Sequence, residues 1–279
     1  MNEPVRAKKS LGQNFLIDPR IQQKIAAAID PQPSDVLIEV GPGMGALTTH
    51  LVDRVHRLIA IELDDRFAER LQQRYGSHSH FELIHRDVME VEAAELNLPP
   101  DYKVIGNIPY NITTPLLFHL LEFEQRAIQL VLMVQKEVAV RIAAAPGSKD
   151  YGALSVGVQS VARVERLFTV GRGSFRPAPK VDSAIVRISP FRPGRLTRPE
   201  EHDLRELTRT AFGQRRKQLQ NILRHAPNYQ IGAGDIGSIE AATGINAADR
   251  PENLSPDQFI QLARVLRADG LMNPAHETQ

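Results

Sequence analysis

Between residues 34 and 135 the apolar positions fall in short, nearly continuous runs rich in β-branched residues. These are Val36–Val40, Leu58–Ile61, Phe81–His85, Val104–Ile105 and Ile128–Val134, separated by amphipathic stretches with helical spacing. Runs of that length without polar alternation read as strands buried on both faces, as in a parallel sheet. Strand–helix repetition of this kind predicts a doubly wound α/β sheet. Ahead of it, Asp18 and Pro19 supply an N-cap and a first-turn signal for a helix through about Ile29, stopped by Pro31 and Pro33. After Gly152, the runs Leu154–Val161 and Ala184–Ile188 read as further strands at the sheet edge, with a proline-punctuated loop at 174–180 between them. Pro190, Pro193 and Gly194 mark a linker, and from about Arg198 the pattern is helical until a polar tail after Asn273. The expected architecture is a Rossmann-like domain over residues 1–193 and a small helical domain over residues 194–279.

Composition narrows the chemistry. Hydrophobic residues make up 42% of 279 residues and charged residues 24%, ordinary values for a folded chain with a full core. No apolar run approaches the roughly 18 residues that a membrane-spanning helix needs. The polar, basic N-terminus lacks an apolar segment behind it, so a cytosolic protein is expected. The chain has no cysteine, which excludes disulfides, thiolate metal sites and cysteine nucleophiles. Its nine histidines are scattered without metalloprotease spacing, and no metal is expected. A net charge of +1 does not by itself suggest a nucleic-acid partner. Its distribution says more. Arg6, Lys8 and Lys9 crowd one end, and Arg205, Arg209, Arg215, Arg216, Lys217 and Arg224 crowd one C-terminal stretch with an apolar helical pattern.

Strand Val36–Val40 runs into G-P-G-M-G, Gly41 to Gly45, and a helix is expected from about Ala46. Glycines such as Gly41 and Gly43 let a backbone turn tightly and approach a ligand closely. About twenty residues on, Ile61-Glu62 ends the next strand with an acid placed to accept hydrogen bonds from ribose hydroxyls. The pair indicates an adenosine-containing cofactor, with NAD still possible. Glu39, just before the glycines, would repel a pyrophosphate but suits a cation, and the later glycine of the dinucleotide fingerprint is missing. Both features favour S-adenosylmethionine. Asp87, after His85-Arg86, can accept from an adenine amino group or cap a helix.

The most informative stretch is Gly106-Asn107-Ile108-Pro109-Tyr110, at the end of strand Val104–Ile105. The exocyclic amine of adenine is a poor nucleophile because its lone pair is delocalised. To attack a methyl group it needs acceptors for both hydrogens while it rehybridises. The Asn107 side-chain oxygen and the Ile108 carbonyl can be those acceptors, Pro109 fixes the turn, and Tyr110 offers a stacking face.

The motifs L-G-Q-N-F-L (11–16), E-V-G-P-G-M-G (39–45), I-E-L-D (61–64), N-I-P-Y-N-I (107–112), F-R-P-A-P-K-V-D-S (175–183) and F-G-Q-R-R-K-Q-L-Q-N-I-L (212–223) occur in order along nearly the whole chain. Taken together they resemble the KsgA/RsmA family of small-subunit ribosomal RNA adenine dimethyltransferases, in wording closest to its bacterial branch. The resemblance implies a class I S-adenosylmethionine-dependent methyltransferase that makes N6,N6-dimethyladenosine at two adjacent adenines of a hairpin loop near the 3′ end of 16S rRNA, during small-subunit biogenesis. It implies that Asn14 and Leu16 close over the methionine end, Gly41 marks the glycine loop, Glu62 holds the ribose and Asp87 the adenine amine. Asn107 lies where cofactor and target meet, and Phe175 stacks on the target adenine opposite Tyr110. Read without the family, Phe175 would be a hydrophobic plug. Arg215, Arg216 and Lys217 resemble the family's RNA-docking segment. The expected partner is the small ribosomal subunit, with no DNA and no membrane, and nothing demands more than a monomer. Competing readings are a resistance methyltransferase of large-subunit rRNA, a non-enzymatic RNA-binding or transcription-factor relative, and an NAD-dependent oxidoreductase.

Overall fold

The computed structural model describes residues 13–122 and 126–272. Arg6, Lys8, Lys9, the start of the first motif and the polar tail from Asn273 lie outside the described residues. By internal contacts the chain forms two compact units, one of Met1–Ala139 with Arg163–Pro190 and one of Val140–Ala162 with Phe191–Gln279. The expected boundary after residue 193 therefore falls slightly late, and residues 140–162 group with the C-terminal unit, not with the sheet.

The first unit begins with β1 (Phe15–Leu16) and α1 (Pro19–Ala28). The α1 start is as the sequence reads: the Asp18 carboxylate accepts from the Arg20 and Ile21 amides, and Pro19 occupies a first-turn position. Then come β2 (Val36–Val40), the short α2 (Thr48–Leu51), β3 (Arg57–Glu62), α3 (Asp65–Tyr75) and β4 (Phe81–His85). They are followed by β5 (Lys103–Asn107), α4 (Thr113–Glu122), β6 (Gln129–Gln135) and α5 (Lys136–Ile142), whose last turn enters the second unit. After α6 (Ala153–Gln159), the strands β7 (Ala162–Val170), β8 (Phe175–Arg176) and β9 (Ser183–Pro190) complete the set.

The main sheet has seven strands in the order β4-β3-β2-β5-β6-β9-β7, and β1 pairs antiparallel with β8 in a separate ribbon. Strands β2 to β6 are parallel, and β9 runs antiparallel to β6. β2 is buried at every position, as its unbroken apolar run requires. A core under the sheet gathers Ile25 and Ile29 with Leu37, Leu51, Leu58, Ile105 and Val131.

Two readings are corrected. Leu154–Val161 is not a strand but mostly helix α6, with Leu154 through Val158 all buried. A short apolar run has no periodicity to separate a buried helix from a buried strand. The real edge strand, β7, was missed because its sequence A-R-V-E-R-L-F-T-V carries charges on the exposed side of a half-buried strand. Similarly, the helix expected from about Ala46 starts at Thr48, because the glycine loop spends two more residues in turns.

The second unit is helical. It contains α6, α7 (Arg198–Gly213), α8 (Leu219–His225), α9 (Asp235–Thr243) and α10 (Pro256–Ala268) around a core that includes Tyr151, Val156, Leu207, Ile239, Phe259 and Leu266. Helix α7 starts at the Thr197–Glu200 capping box, and α10 at that of Ser255 and Gln258. The Tyr151 hydroxyl donates to the Leu254 carbonyl at 2.8 Å, and burial pushes its phenol well above the ordinary value. Among the described residues no helix is long and apolar enough to cross a membrane.

Candidate active site

In an open α/β sheet a ligand crevice forms beyond the carboxyl ends of the strands where the strand order reverses. Here that point lies between β2 and β5: β3 and β4 extend the sheet to one side, β6 to the other. A cavity of about 280 Å³ opens there. Its walls bring together Asn14, Leu16, Gly41, Gly43, Glu62 and Asp87 with the consecutive residues Asn107, Ile108, Pro109 and Tyr110. Every residue expected at the cofactor site is in that wall, as are Asn107 to Tyr110 of the strand-end stretch.

The glycine loop and the acid after it are tied together. Glu62, 7% exposed, accepts from the Gly43 amide at 2.9 Å with one carboxylate oxygen and from the Asp64 amide at 2.8 Å with the other. Gly43 takes φ +56°, a left-handed backbone that aims its amide at Glu62 and that an L side chain rarely adopts. Burial raises the Glu62 pKa while those two amides oppose the rise. Asp64 caps α3 through the Arg66 amide and also accepts from Gln13 Nε2 at 2.9 Å, so two of the sequence motifs meet there. The Arg66 side chain bonded to Asp64 holds that carboxyl well below the usual carboxylate range.

Glu39 is the last acid before the loop, within β2 and only 1% exposed. Its Oε2 accepts from Thr48 Oγ1 at 2.7 Å. Burial raises its pKa from the ordinary 4.5 to about 7, against the Thr48 hydrogen bonds that lower it. The carboxyl thus lies in the cavity wall yet is sealed from bulk water.

β5 can bring Asn107 to the crevice only because Gly106 precedes it. A Cβ on Gly106 would lie 2.9 Å from the Val40 carbonyl oxygen and 3.0 Å from Ile108 Cδ1. Asn107 Nδ2 donates to the Asn14 carbonyl at 3.3 Å, and the Ile108 amide donates to the Met133 carbonyl at 3.1 Å. The Tyr110 hydroxyl shares a 2.6 Å hydrogen bond with Ser183 Oγ. Burial raises the Tyr110 phenol above its ordinary value, so it stays protonated at neutral pH. Asp87 caps a single turn by accepting from the Met89 amide at 2.9 Å, and it also faces the cavity. Of the two readings of Asp87, the cap is the one the hydrogen bonds show.

Two groups of expected site residues lie outside the cavity wall. Phe175 is 4% exposed, belongs to the core cluster with Leu16, Val170 and Ile185, and does not line the cavity. Strand alternation in β8 turns Phe175 inward and Arg176 outward, so the plug reading describes the ring as it stands. Arg215, Arg216 and Lys217 are not helical; they occupy the turn between α7 and α8. The Arg215 guanidinium is used inside its own unit, donating to the Lys149 and Ser148 carbonyls and pairing with Glu252. Arg216 and Lys217 are exposed.

Sequence reasoning missed Phe15, Phe67, Met44 and Leu63, which supply apolar walls of the cavity. Met44 and Leu63 are 41% and 47% exposed, a solvated position for large apolar side chains inside quoted motifs. That oddity was the available signal. Among the described residues no group of three or more His, Cys, Asp or Glu is placed to hold a metal ion.

The ribosomal RNA adenine dimethylase family profile matches residues 5–268. The chain is 42% identical over 271 residues to ribosomal RNA small subunit methyltransferase A of Geobacter metallireducens, covering 96% of this chain and 98% of that one. It is 43% identical over 266 residues to the protein of that name from Pseudomonas putida, covering 94% and 97%. Among solved structures it is similar to a dimethyladenosine transferase from Plasmodium falciparum, with TM-score 0.80 and 27% identity over 92% of this chain and 99% of that one. It is also similar to the 23S rRNA methyltransferase ErmE, with TM-score 0.69 and 26% identity over 91% and 100%. The cavity at the strand-order reversal, with its Gly-rich loop, acid and N-I-P-Y wall, thus belongs to a protein of known lineage: the chain is a member of the ribosomal RNA adenine dimethylase family.

Proposed function

We propose that the chain transfers methyl groups from S-adenosylmethionine to N6 of two adjacent adenines in the hairpin loop near the 3′ end of 16S rRNA, giving N6,N6-dimethyladenosine as a step of small-subunit assembly in the bacterial cytosol. The observation that carries the reading is the meeting of Asn107, Ile108 and Tyr110 with the Glu62–Gly43 cradle in one cavity. The small-subunit names of the relatives support the substrate over the large-subunit alternative that ErmE represents.

The residues present fit the cofactor. Buried carboxyls at Glu39 and Glu62 suit a ligand with cationic groups and no phosphate, and the apolar side chains of Phe15, Met44 and Leu63 suit an adenine ring. Glu62 would hold the ribose hydroxyls, Asp87 the adenine amine, and Asn14 and Leu16 the methionine end. When bound, S-adenosylmethionine supplies an electrophilic methyl group.

The chain's own work is positioning. Asn107 Nδ2 is committed to the Asn14 carbonyl, which turns the side-chain oxygen the other way, toward an incoming amine. That oxygen and the Ile108 carbonyl would accept hydrogen bonds from the N6 hydrogens as the nitrogen becomes tetrahedral, and one hydrogen leaves to solvent as a proton each time a methyl–nitrogen bond replaces the methyl–sulfur bond. Tyr110, its hydroxyl fixed by Ser183, presents a ring face for the extruded base; such stacking contributes roughly 1–3 kcal/mol. Holding the reactants in line can remove on the order of 7–11 kcal/mol of the barrier. No covalent enzyme intermediate and no metal are needed. Arg216 and Lys217 are the cations of the α7–α8 turn left to meet RNA phosphates, and the enzyme acts as a monomer.

Transfer of labelled methyl to purified small and large ribosomal subunits lacking adenine methylation tests the reading. Label in the small subunit supports it. Label confined to the large subunit moves the chain to the resistance branch.

A further inference from the structure

Beside the cavity, on the first unit, the chain exposes a run of cations that the chemistry above does not use. Arg172, Arg176 and Lys180 lie in the segment that contains β8 and are exposed, as are Arg20 and Lys24 on α1. Large apolar side chains are interleaved with them: Ile17 is 41% exposed and Val181 is 44% exposed. The nearby acids are occupied. The Asp18 carboxylate caps α1, and Asp182 Oδ1 accepts from the Arg172 amide at 3.1 Å.

The segment is tied to the cavity at both ends. β8 pairs with β1, with Phe15 opposite Arg176 and Leu16 opposite Phe175, and both β1 residues line the cavity. The Ile17 amide donates to the Ser174 carbonyl at 2.8 Å, extending the ribbon by one bond. At the other end, Ser183 holds the Tyr110 hydroxyl. Because Phe175 is locked into the core, its neighbour Arg176 must project outward. Pro177 and Pro179 stiffen the intervening loop, so little conformational freedom remains to be lost when a ligand docks.

A basic, stiff surface with exposed aliphatic side chains, flanking a pocket that takes an extruded base, has the makings of a nucleic-acid track: cations for phosphates and apolar contacts for sugars. A merely solvated loop would have no need of a rigid attachment to both walls of the cavity. We propose that the β1–β8 ribbon, through Arg172, Arg176 and Lys180, grips the RNA backbone next to the target adenine and feeds that base to Tyr110. The proposal rests on the RNA-methylating reading above and adds to it a second phosphate-binding surface, separate from the α7–α8 turn.

The test is the salt dependence of binding to small ribosomal subunits lacking adenine methylation. It compares the full chain, the triple variant Arg172→Gln/Arg176→Gln/Lys180→Gln, and a control of the same kind on exposed β7 positions, Arg163→Gln/Arg166→Gln. Each phosphate contact contributes about 0.7–0.9 to the slope of log affinity against log salt. The triple variant is expected to lose about 2 from that slope and at least about tenfold in affinity near physiological salt, with the control unchanged. Stabilisation by S-adenosylhomocysteine, measured in parallel, is expected to be equal in all three, showing the cofactor site intact. An unchanged slope in the triple variant, or an equal loss in the control, would overturn the proposal. If the full chain binds subunits but methylates none, the substrate reading fails, while the slopes still decide the ribbon.

Discussion

Asn107, at the end of β5, donates its side-chain amide to the backbone carbonyl of Asn14, 3.3 Å away and on the segment leading into β1. That bond fixes which way the carboxamide faces, and on the proposed reading it leaves the oxygen for the substrate. Asn107→Asp places a carboxylate against a carbonyl and removes the donor. The expected result is a loss in kcat of about 10²–10³, the range for deleting one preorganised group. Affinity for S-adenosylhomocysteine, measured by calorimetry, should change far less. Equal losses in both would mean that Asn107 serves cofactor binding instead.

Phe175 packs in the core, so Phe175→Ala should act first on stability. A buried Phe cut to Ala costs about 3–5 kcal/mol, which denaturant unfolding will read. A variant of normal stability with collapsed turnover would instead restore the ring to the target base.

Glu39 links stability to pH. Its folded pKa, about 7, stands above its ordinary 4.5, so the unfolded chain loses this proton first as pH rises. The folded state is therefore favoured fully below pH 4.5, and the advantage is lost progressively as pH rises through about 7. The size is on the order of 3 kcal/mol. Glu39→Gln keeps an oxygen for Thr48 and removes the titration. Relative to wild type it should gain stability between pH 5 and 8 in thermal unfolding. Parallel stability profiles for the two proteins over that window would contradict the burial argument.

The α7–α8 turn separates two roles that its sequence, R-R-K, makes look alike. Arg215→Ala should lower stability by about 1–3 kcal/mol, because the Ser148 and Lys149 carbonyls and Glu252 lose their shared donor. Arg216→Ala and Lys217→Ala should leave unfolding unchanged and weaken subunit binding. Filter binding and chemical denaturation of the three variants distinguish these outcomes.

Gly106→Ala tests the close passage of β5 against β2. The added methyl meets the Val40 carbonyl at 2.9 Å, a contact that backbone must yield to. A loss of about 1–3 kcal/mol is expected, with reduced turnover because Asn107 follows directly. Unchanged melting and turnover would show that the strands separate freely.

Much of this was legible along the chain because the parallel strands are buried on both faces and announce themselves as apolar runs. β4 and α1 fall within a residue or so of their expected bounds, and the cap at Asp18 is the one the sequence signals. The cavity wall was legible for another reason: Gly43 serves by its backbone angle, and Glu62 by a carboxylate that accepts from two amides. What failed was information that tertiary context supplies. α6 is buried at five successive positions, Leu154 to Val158, and so shows no amphipathic period, and β7 is half exposed and so lacks an apolar run. At Phe175 the linear motif does not show which of two neighbours points inward, because strand alternation decides it. Arg215 shows the same limit for charge, because a cation's partners 66 residues away are invisible in a linear cluster.

The central claim is that this cavity dimethylates adjacent adenines of small-subunit rRNA. Its most direct test is mass analysis of the 3′-terminal fragment of 16S rRNA after reaction of unmethylated small subunits with the chain and S-adenosylmethionine. The account predicts two methyl groups on each of two neighbouring adenines, recovered as N6,N6-dimethyladenosine. Unmodified adenines in that fragment, with methyl groups appearing on large-subunit rRNA instead, would contradict it.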